Sequence, residues 1–97
     1  MKKQLKFTIE GTAFDEYTGL PISDVKIMFK DKCANTEESY YTNAFGRYTF
    51  NLSENCCYEL IMTHPSYSNS VVADYCTKGL LESKVFLGNA YFQIKEK

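Results

Sequence analysis

The chain has 97 residues, and its 11 Lys and Arg side chains against 12 Asp and Glu give a formal net charge of −1. This length is close to the commonest size of a single domain, and the small charge gives no electrostatic basis for binding nucleic acid or an anionic membrane. The sequence contains no run of 18 apolar residues, so it predicts no membrane-spanning segment. We therefore expect one globular domain over residues 1–97.

Alternation of apolar and polar residues predicts seven short strands. In chain order they cover residues 5–14, 24–32, 36–42, 47–52, 57–64, 70–77 and 85–94. The third of these is polar and is expected at a sheet edge. The alternation turns a set of apolar side chains inward, namely Val25, Ile27, Phe29, Tyr48, Phe50, Leu52, Tyr58, Leu60 and Met62.

Turn residues separate these strands. Gly19 ends a polar turn and can adopt a positive φ at little cost, while Pro21 has no N–H and fits a strand entrance or edge. Gly46 closes a short hairpin loop that begins at Asn43. Seven short strands with regular turns and no amphipathic helix predict an all-β fold, a seven-stranded antiparallel Greek-key β-sandwich.

Five spaced motifs lie within residues 7–72. They are Gly11-x-x-x-Asp15, Thr18-Gly19-x-Pro21-Ile22-x-x-Val25, Thr42-Asn43-x-x-Gly46-x-Tyr48-x-Phe50, Tyr58-x-Leu60 and the loop that ends in Tyr67. Together these residues resemble the carboxypeptidase regulatory-like domain family. The resemblance implies a transthyretin-like, or prealbumin-like, topology for the sandwich.

The tail, Thr77-Lys78-Gly79-Leu80 followed by residues 85–94, resembles the end of such domains in cell-envelope proteins of Bacteroidetes. Those proteins include outer-membrane-protein-A-like peptidoglycan binders and TonB-dependent receptors. The resemblance implies an accessory domain excised from a longer protein that is periplasmic, outer-membrane-associated or extracellular. Its partners would be neighbouring domains or other envelope proteins. The family motif carries no catalytic residue, so we expect no enzyme activity, no cofactor and no metal.

Four cysteines in a short chain, Cys33, Cys56, Cys57 and Cys76, allow three disulfide pairings. In the topology that the resemblance implies, the second, fifth and sixth predicted strands are neighbours and bring all four cysteines to one end of the sandwich. Alternation places Cys33 and Cys56 inward and Cys57 and Cys76 outward. We therefore predict Cys33–Cys56 and Cys57–Cys76, and a register slip at the strand ends leaves the swapped pairing open.

Two bridges would indicate an oxidising compartment. A single bridge, free thiols and a zinc site of four cysteines are the alternatives. Zinc ligands are commonly two to four residues apart, so the adjacent Cys56 and Cys57 fit two bridges better than one zinc ion.

Few side chains offer catalytic chemistry. His64 precedes Pro65 in a loop, so we expect it to be solvated or hydrogen-bonded there rather than catalytic. Arg47 follows the hairpin glycine and is expected to be a solvated strand residue. Transthyretin-like folds include a hydrolase of 5-hydroxyisourate, whose family needs several histidines and a Tyr-Arg-Gly-Ser tail. This chain has one histidine and ends Gln93-Ile94-Lys95-Glu96-Lys97. Asp15 is expected to cap its own turn rather than to bind calcium.

Five tyrosines support an alternative function, which is the binding of a carbohydrate or a peptide. Exposed aromatic side chains bind sugars, and the candidates are Tyr40, Tyr41, Tyr67, Tyr75 and Tyr91. Alternation directs about half of them toward the core, and the adjacent Tyr40 and Tyr41 must face opposite sides of a sheet. We therefore expect a non-catalytic structural or interaction domain, with glycan or peptide binding as the second possibility.

Overall fold

The computed structural model of the protein describes residues 4–95 as two packed β-sheets. The expected domain, residues 1–97, includes residues 1–3 and 96–97, which lie outside the described residues. The strands are β1 (Phe7–Asp15), β2 (Lys26–Asp31), β3 (Thr36–Tyr41), β4 (Arg47–Leu52), β5 (Cys57–Thr63), β6 (Val71–Cys76), β7 (Lys84–Leu87) and β8 (Ala90–Phe92). Within residues 4–95 no helix is long and apolar enough to cross a membrane.

The first sheet has the order β4-β1-β7, and β8 also pairs with β1. The second sheet has the order β3-β2-β5-β6, and all its pairs are antiparallel. The predicted all-β sandwich is therefore confirmed, and so are the neighbouring positions of β2, β5 and β6. The third predicted strand is indeed an edge strand, because β3 pairs with β2 alone and is exposed along its whole length.

The prediction of a wholly antiparallel fold was wrong on one side of β1. Strands β7 and β8 pair with β1 in parallel, with Phe7 opposite Lys84 and Asp15 opposite Phe92. The connection from β6 delivers the chain to the end of the first sheet at which β1 begins. Strand β7 must therefore run in the same direction as β1.

The last predicted strand, residues 85–94, is divided into β7 and β8 by Gly88 and Asn89. The pairing offset to β1 is the same on both sides of the break, so no residue is inserted. At the break, the Asn89 side chain accepts the Thr12 N–H bond at 3.0 Å in place of a backbone carbonyl. The predicted start of the second strand was also wrong, because Asp24 has a φ of 58° and belongs to the preceding turn.

The core lies between the two sheets and contains nearly all the side chains predicted to face inward. Val25, Ile27 and Leu60 are completely buried. Phe29 is only partly buried, but its ring stacks on Phe50 with a centroid distance of 4.6 Å. The remaining buried apolar residues are Phe7, Ile9, Ala13, Ile22, Tyr48, Phe50, Leu52, Tyr58, Met62, Ala90 and Phe92.

Candidate functional site

Two disulfide bridges join the strands of the second sheet at one end of the sandwich. Cys33 is bonded to Cys56 and Cys57 to Cys76, with Cα–Cα distances of 5.6 and 4.1 Å. This is the pairing expected from the sequence. Cys57 and Cys76 are directly opposite one another in the β5–β6 register, on the outer face. The inward direction expected for Cys33 was wrong, because β2 ends two residues earlier and Cys33 lies exposed in the following turn.

The alternative of a zinc site formed by these four cysteines does not fit the structure, because all four are bridged. Among the described residues, one group has the spacing of a metal site, formed by Asp31, Cys33 and Cys56. Both sulfur atoms of that group belong to the disulfide, so neither is a thiolate ligand. The Asp31 carboxylate instead accepts the backbone N–H bonds of Cys33 and Ala34 at 2.9 and 3.0 Å, which fixes the turn.

Two of the three predicted turn residues meet at the opposite end of the sandwich. Gly46 has a φ of 73°, and a Cβ built on it would lie 3.0 Å from the Cβ of Pro21. Gly46 therefore serves both the backbone turn and the close packing of the hairpin against residues 21–22. Gly19 has a φ of 74° but open space around it, so the turn conformation alone requires glycine there.

Asp15 links the turn that contains Gly19 to the loop between β5 and β6. Its carboxylate accepts the backbone N–H bonds of Tyr17 and Thr18 at 2.8 and 3.1 Å and the hydroxyl bond of Tyr67 at 3.0 Å. These donors, the Thr18 N–H first, hold the pKa of Asp15 below its usual value. The expected cap of the turn is present. Burial and the bond to Asp15 raise the pKa of Tyr67.

The histidine and the arginine also take part in local structure. His64 Nδ1 accepts the Ser66 N–H bond at 3.1 Å, and its ring lies edge-on to Tyr67 at 5.3 Å. Arg47 is exposed at the start of β4, and its backbone N–H donates to the Asn43 side chain at 3.0 Å. His64 and Arg47 therefore lie in separate structures, a loop and a hairpin.

The five candidate tyrosines do not form one binding platform. Tyr40 is exposed on the edge strand β3, and its ring packs edge-on against the buried Phe50, whereas Tyr67 and Tyr75 are partly buried against the core. Tyr41 and Tyr91 are exposed, but they lie on the outer faces of different sheets. Tyr91 stacks on its neighbour Phe14 at 5.7 Å. Phe14 also lines an open groove on the first sheet, together with Thr12, Pro21, Phe45 and Arg47.

A close approach between β1 and the break in the last strand was not predicted. A Cβ built on Gly11 would overlap the Gly88 carbonyl, and one built on Gly88 would lie 2.5 Å from the hydroxyls of Tyr48 and Tyr75. The Tyr48 hydroxyl donates to the Gly88 carbonyl from β4. Burial, followed by the nearby Tyr75, raises the pKa of Tyr48. The sequence signal for this contact is the Gly88-Asn89 pair inside an otherwise regular strand.

The free edge of β8 is covered by the loop between β5 and β6, which was also missed. The Asn69 side chain donates to the Tyr91 carbonyl at 3.1 Å and accepts the Gln93 N–H bond at 2.7 Å. The Ser68 N–H donates to the Gln93 carbonyl at 2.8 Å. The last strand is therefore held on both edges, by β1 and by this loop.

The geometry defines a small β-sandwich with two disulfides in one sheet and parallel pairing of its first and last strands in the other. No protein-family profile matches the sequence, and no curated protein sequence matches it. The resemblance to the carboxypeptidase regulatory-like domain therefore stays a prediction.

Solved structures show the fold more clearly. The chain is similar to the Bacillus anthracis TIE protein, with a TM-score of 0.70 and 15% identity, covering 93% of this chain and 17% of that one. It is similar to the shaft pilin SpaA of Lactobacillus rhamnosus GG, with a TM-score of 0.66 and 8% identity, covering 98% and 50%. It is also similar to catechol 1,2-dioxygenase of Acinetobacter sp. ADP1, with a TM-score of 0.67 and 9% identity, covering 98% and 54%. At these identities the likeness shows a shared β-sandwich alone, and the chain spans 17 to 54% of these proteins.

Proposed function

We propose that this chain is a non-catalytic structural domain of a longer protein at the cell surface or in the cell envelope. One observation carries the proposal, which is that the two disulfides use all four cysteines of the sequence. Disulfides persist in oxidising compartments, and small exported domains depend on them because their cores are small. A shaft pilin with the same fold supports a structural role at the surface.

The finer assignment is a carboxypeptidase regulatory-like domain of a Bacteroidetes envelope protein of the outer-membrane-protein-A or TonB-receptor type. The motif residues support it through their backbone roles, since Gly19 and Gly46 both have positive φ values and Asp15 caps the turn between β1 and β2. In this role the domain supports or spaces neighbouring domains of the same protein.

The absence of catalysis is part of the proposal. Its support is that several candidate reactive groups among the described residues have structural roles. The cysteines are bridged, the Asp15 carboxylate accepts three hydrogen bonds, and His64 Nδ1 accepts a backbone N–H bond.

Thiol trapping in the native host tests the compartment. Cells that express the full-length parent from its own gene are treated with an alkylating agent before lysis, fractionated, and analysed by mass spectrometry without and with reductant. We expect Cys33, Cys56, Cys57 and Cys76 to be alkylated only after reduction, in the envelope or surface fraction. Cytoplasmic thiols of the same cells serve as the control. Alkylation of all four cysteines before reduction, in the cytoplasmic fraction, would overturn the proposal.

Binding of a glycan or peptide is the second candidate function, and the groove beside Phe45 favours it. Phe45 is 72% exposed and lines this groove together with the polar side chains of Thr12 and Arg47, and the 55% exposed Tyr91 stacks on Phe14 of the same lining. A glycan array and a peptide library screened with the whole chain test this function. Binding that is lost in Phe45→Ala but kept in Tyr41→Ala, on the other sheet, would support it, and no binding on either array would count against it.

A further inference from the structure

The first and last strands of the chain leave the sandwich at opposite ends. Strand β1 begins at Phe7, opposite Lys84, whereas β8 ends at Phe92, opposite Asp15. The segments before β1 and after β8 therefore emerge at the two ends of one parallel ladder. We define the terminal-strand ladder as β1 paired with β7 and β8.

We propose that the terminal-strand ladder is a shear clamp, through which the domain bears tension applied to its two chain ends. Tension pulls β1 in one direction along the strand axis and β7–β8 in the other. The hydrogen bonds between them cross that axis at evenly spaced positions, slanted as in any parallel pair, so sliding one strand past the other loads all of them together. If the two strands were pulled from the same end, the bonds would break one at a time.

The ladder is continuous enough to share such a load. Backbone bonds join Lys84 N–H to the Lys6 carbonyl at 3.1 Å, Gly88 N–H to the Glu10 carbonyl at 2.9 Å and Glu16 N–H to the Phe92 carbonyl at 2.9 Å. At the break between β7 and β8, the bond from Thr12 to the Asn89 side chain fills the gap. These bonds extend over the whole length of β1.

The ladder is also supported from both sides. On the β4 side, the Tyr48 hydroxyl crosses β1 at Gly11 and binds the Gly88 carbonyl. On the open side, the Asn69 side chain and the Ser68 N–H hold Tyr91 and Gln93. Strand β8 therefore cannot slide along β1 without breaking contacts on its other edge as well.

The disulfides limit how far the chain extends once the clamp opens. They close loops of 23 and 19 residues, and because Cys56 and Cys57 are adjacent, the load passes through both bridges in series. While the bridges are intact, the 42 residues within the two loops cannot extend under tension. At about 3.4 Å per residue, this shortens the extended chain by roughly 140 Å. Both bridges belong to the second sheet, so they do not carry the ladder itself.

Single-molecule force spectroscopy on the full chain, placed between handle domains, tests the clamp by changing the pulling direction. One attachment uses the two termini, and the other uses the C-terminus and an azidophenylalanine in place of Tyr17, which is 91% exposed. Tyr17 lies just beyond β1 at the end where β8 finishes, so this geometry peels the ladder. We expect the terminal geometry to unfold at a force at least about twofold higher, because forced unfolding follows the unfolding barrier. In that geometry several bonds of the ladder must break together, whereas in the other they break one at a time. Equal forces in the two geometries would overturn the proposal.

An asparagine variant and reduction add independent readouts. Asn89→Ala removes the acceptor of Thr12 and should lower the force in the terminal geometry only, whereas Asn51→Ala, an exposed change in β4, should leave it unchanged. Reduction should lengthen the unfolding step by roughly 140 Å while leaving the ladder intact. An unchanged step length would refute the limit set by the bridges.

The biological use of the clamp rests on the proposed structural role, but the force measurement does not depend on compartment. Equal forces in the two geometries would leave the proposed location in place. A cytoplasmic location with free thiols would overturn the proposed location, and the force measurement would still decide whether the ladder is a clamp.

Discussion

Replacing Thr42 by valine should destabilise the domain strongly, although the two side chains have nearly the same shape. Thr42 is 3% exposed and directly follows β3, and its hydroxyl donates to the Ile22 carbonyl at 2.8 Å and accepts the Val25 N–H bond at 3.0 Å. Ile22 and Val25 are themselves buried, so water cannot replace the lost partner. One hydroxyl therefore satisfies two backbone groups where the chain enters β2.

The magnitude follows from those two groups. A buried donor or acceptor left without a partner costs about 1–3 kcal/mol, so two of them cost about 4 kcal/mol. The added methyl group of valine returns about 1 kcal/mol through burial, which leaves a net loss of about 3 kcal/mol. For a domain of this size, such a loss lowers the Tm by on the order of 15 °C.

Thermal and urea unfolding of Thr42→Val, beside Thr42→Ser, measures this effect under non-reducing conditions. The serine variant keeps the hydroxyl and loses one methyl group, so it should lose only about 1 kcal/mol. The expected order of stability is wild type, then Thr42→Ser, then Thr42→Val. If Thr42→Val proved as stable as Thr42→Ser, the reasoning from unsatisfied backbone groups would be wrong.

Three further perturbations address other parts of the fold. Gly11→Ala should lower the free energy of unfolding by about 3 kcal/mol, because the new Cβ would overlap the backbone at Gly88. Gly19→Ala should lower it by about 1 kcal/mol, because its φ is positive but the space around it is open. Urea unfolding measures both losses, and equal losses would contradict this reasoning. Replacing Cys33 and Cys56 by serine should remove about 3 kcal/mol, measured against wild type without reductant, and no loss would argue against the loop-closure account. Asp15 has a lowered pKa, so it stabilises the fold above its ordinary value of 3.8, and this contribution is lost as pH falls through the lower folded value. Asp15→Asn should therefore flatten the acid decline in Tm, and an unchanged decline would refute the role.

Strand positions could be predicted where alternation alone decides them. Tyr48, Phe50 and Leu52 face the core because a strand that is buried on one face must alternate, and the predicted strand 47–52 agrees with β4 at both ends. The hairpin glycine Gly46 was also predictable, since its positive φ is a local property of the turn. These features depend on residues that are neighbours along the chain.

The features that were missed depend on residues far apart in sequence. Two long-range hydrogen bonds meet at the break between β7 and β8. The Tyr48 hydroxyl donates to the Gly88 carbonyl across 40 residues of sequence, and the Thr12 N–H donates to the Asn89 side chain across 77 residues. Parallel pairing of β1 with β7 is equally non-local. No window of the sequence contains both partners, so periodicity predicts one unbroken strand there.

Tyr75 shows a further limit of alternation. Period-two reasoning can say that a side chain leaves one face of a strand, but not how far it reaches. Tyr75 extends from β6 across the sandwich to the vicinity of Gly88 in the other sheet, and its ring lies edge-on to Phe86 at 5.5 Å. Tyr75 therefore packs between the sheets and does not join the exposed Tyr91 in one surface, which the spacing of the tyrosines along the chain could not predict.

The two sheets are stabilised by different means, and this separates the effects expected of mutations. All four cysteines belong to the second sheet or its turns, so oxidation fixes β2, β5 and β6 but leaves β1, β4, β7 and β8 without a covalent bond between them. The first sheet contains the first and last strands, and β1 is held to β7 and β8 by hydrogen bonds and by the close contact at Gly11. Changes at Gly11 or Asn89 should therefore weaken resistance to tension whether or not the bridges are formed. Loss of the bridges should instead lower thermal stability and lengthen the extension on unfolding. It should leave the unfolding force unchanged, because neither bridge crosses the terminal-strand ladder.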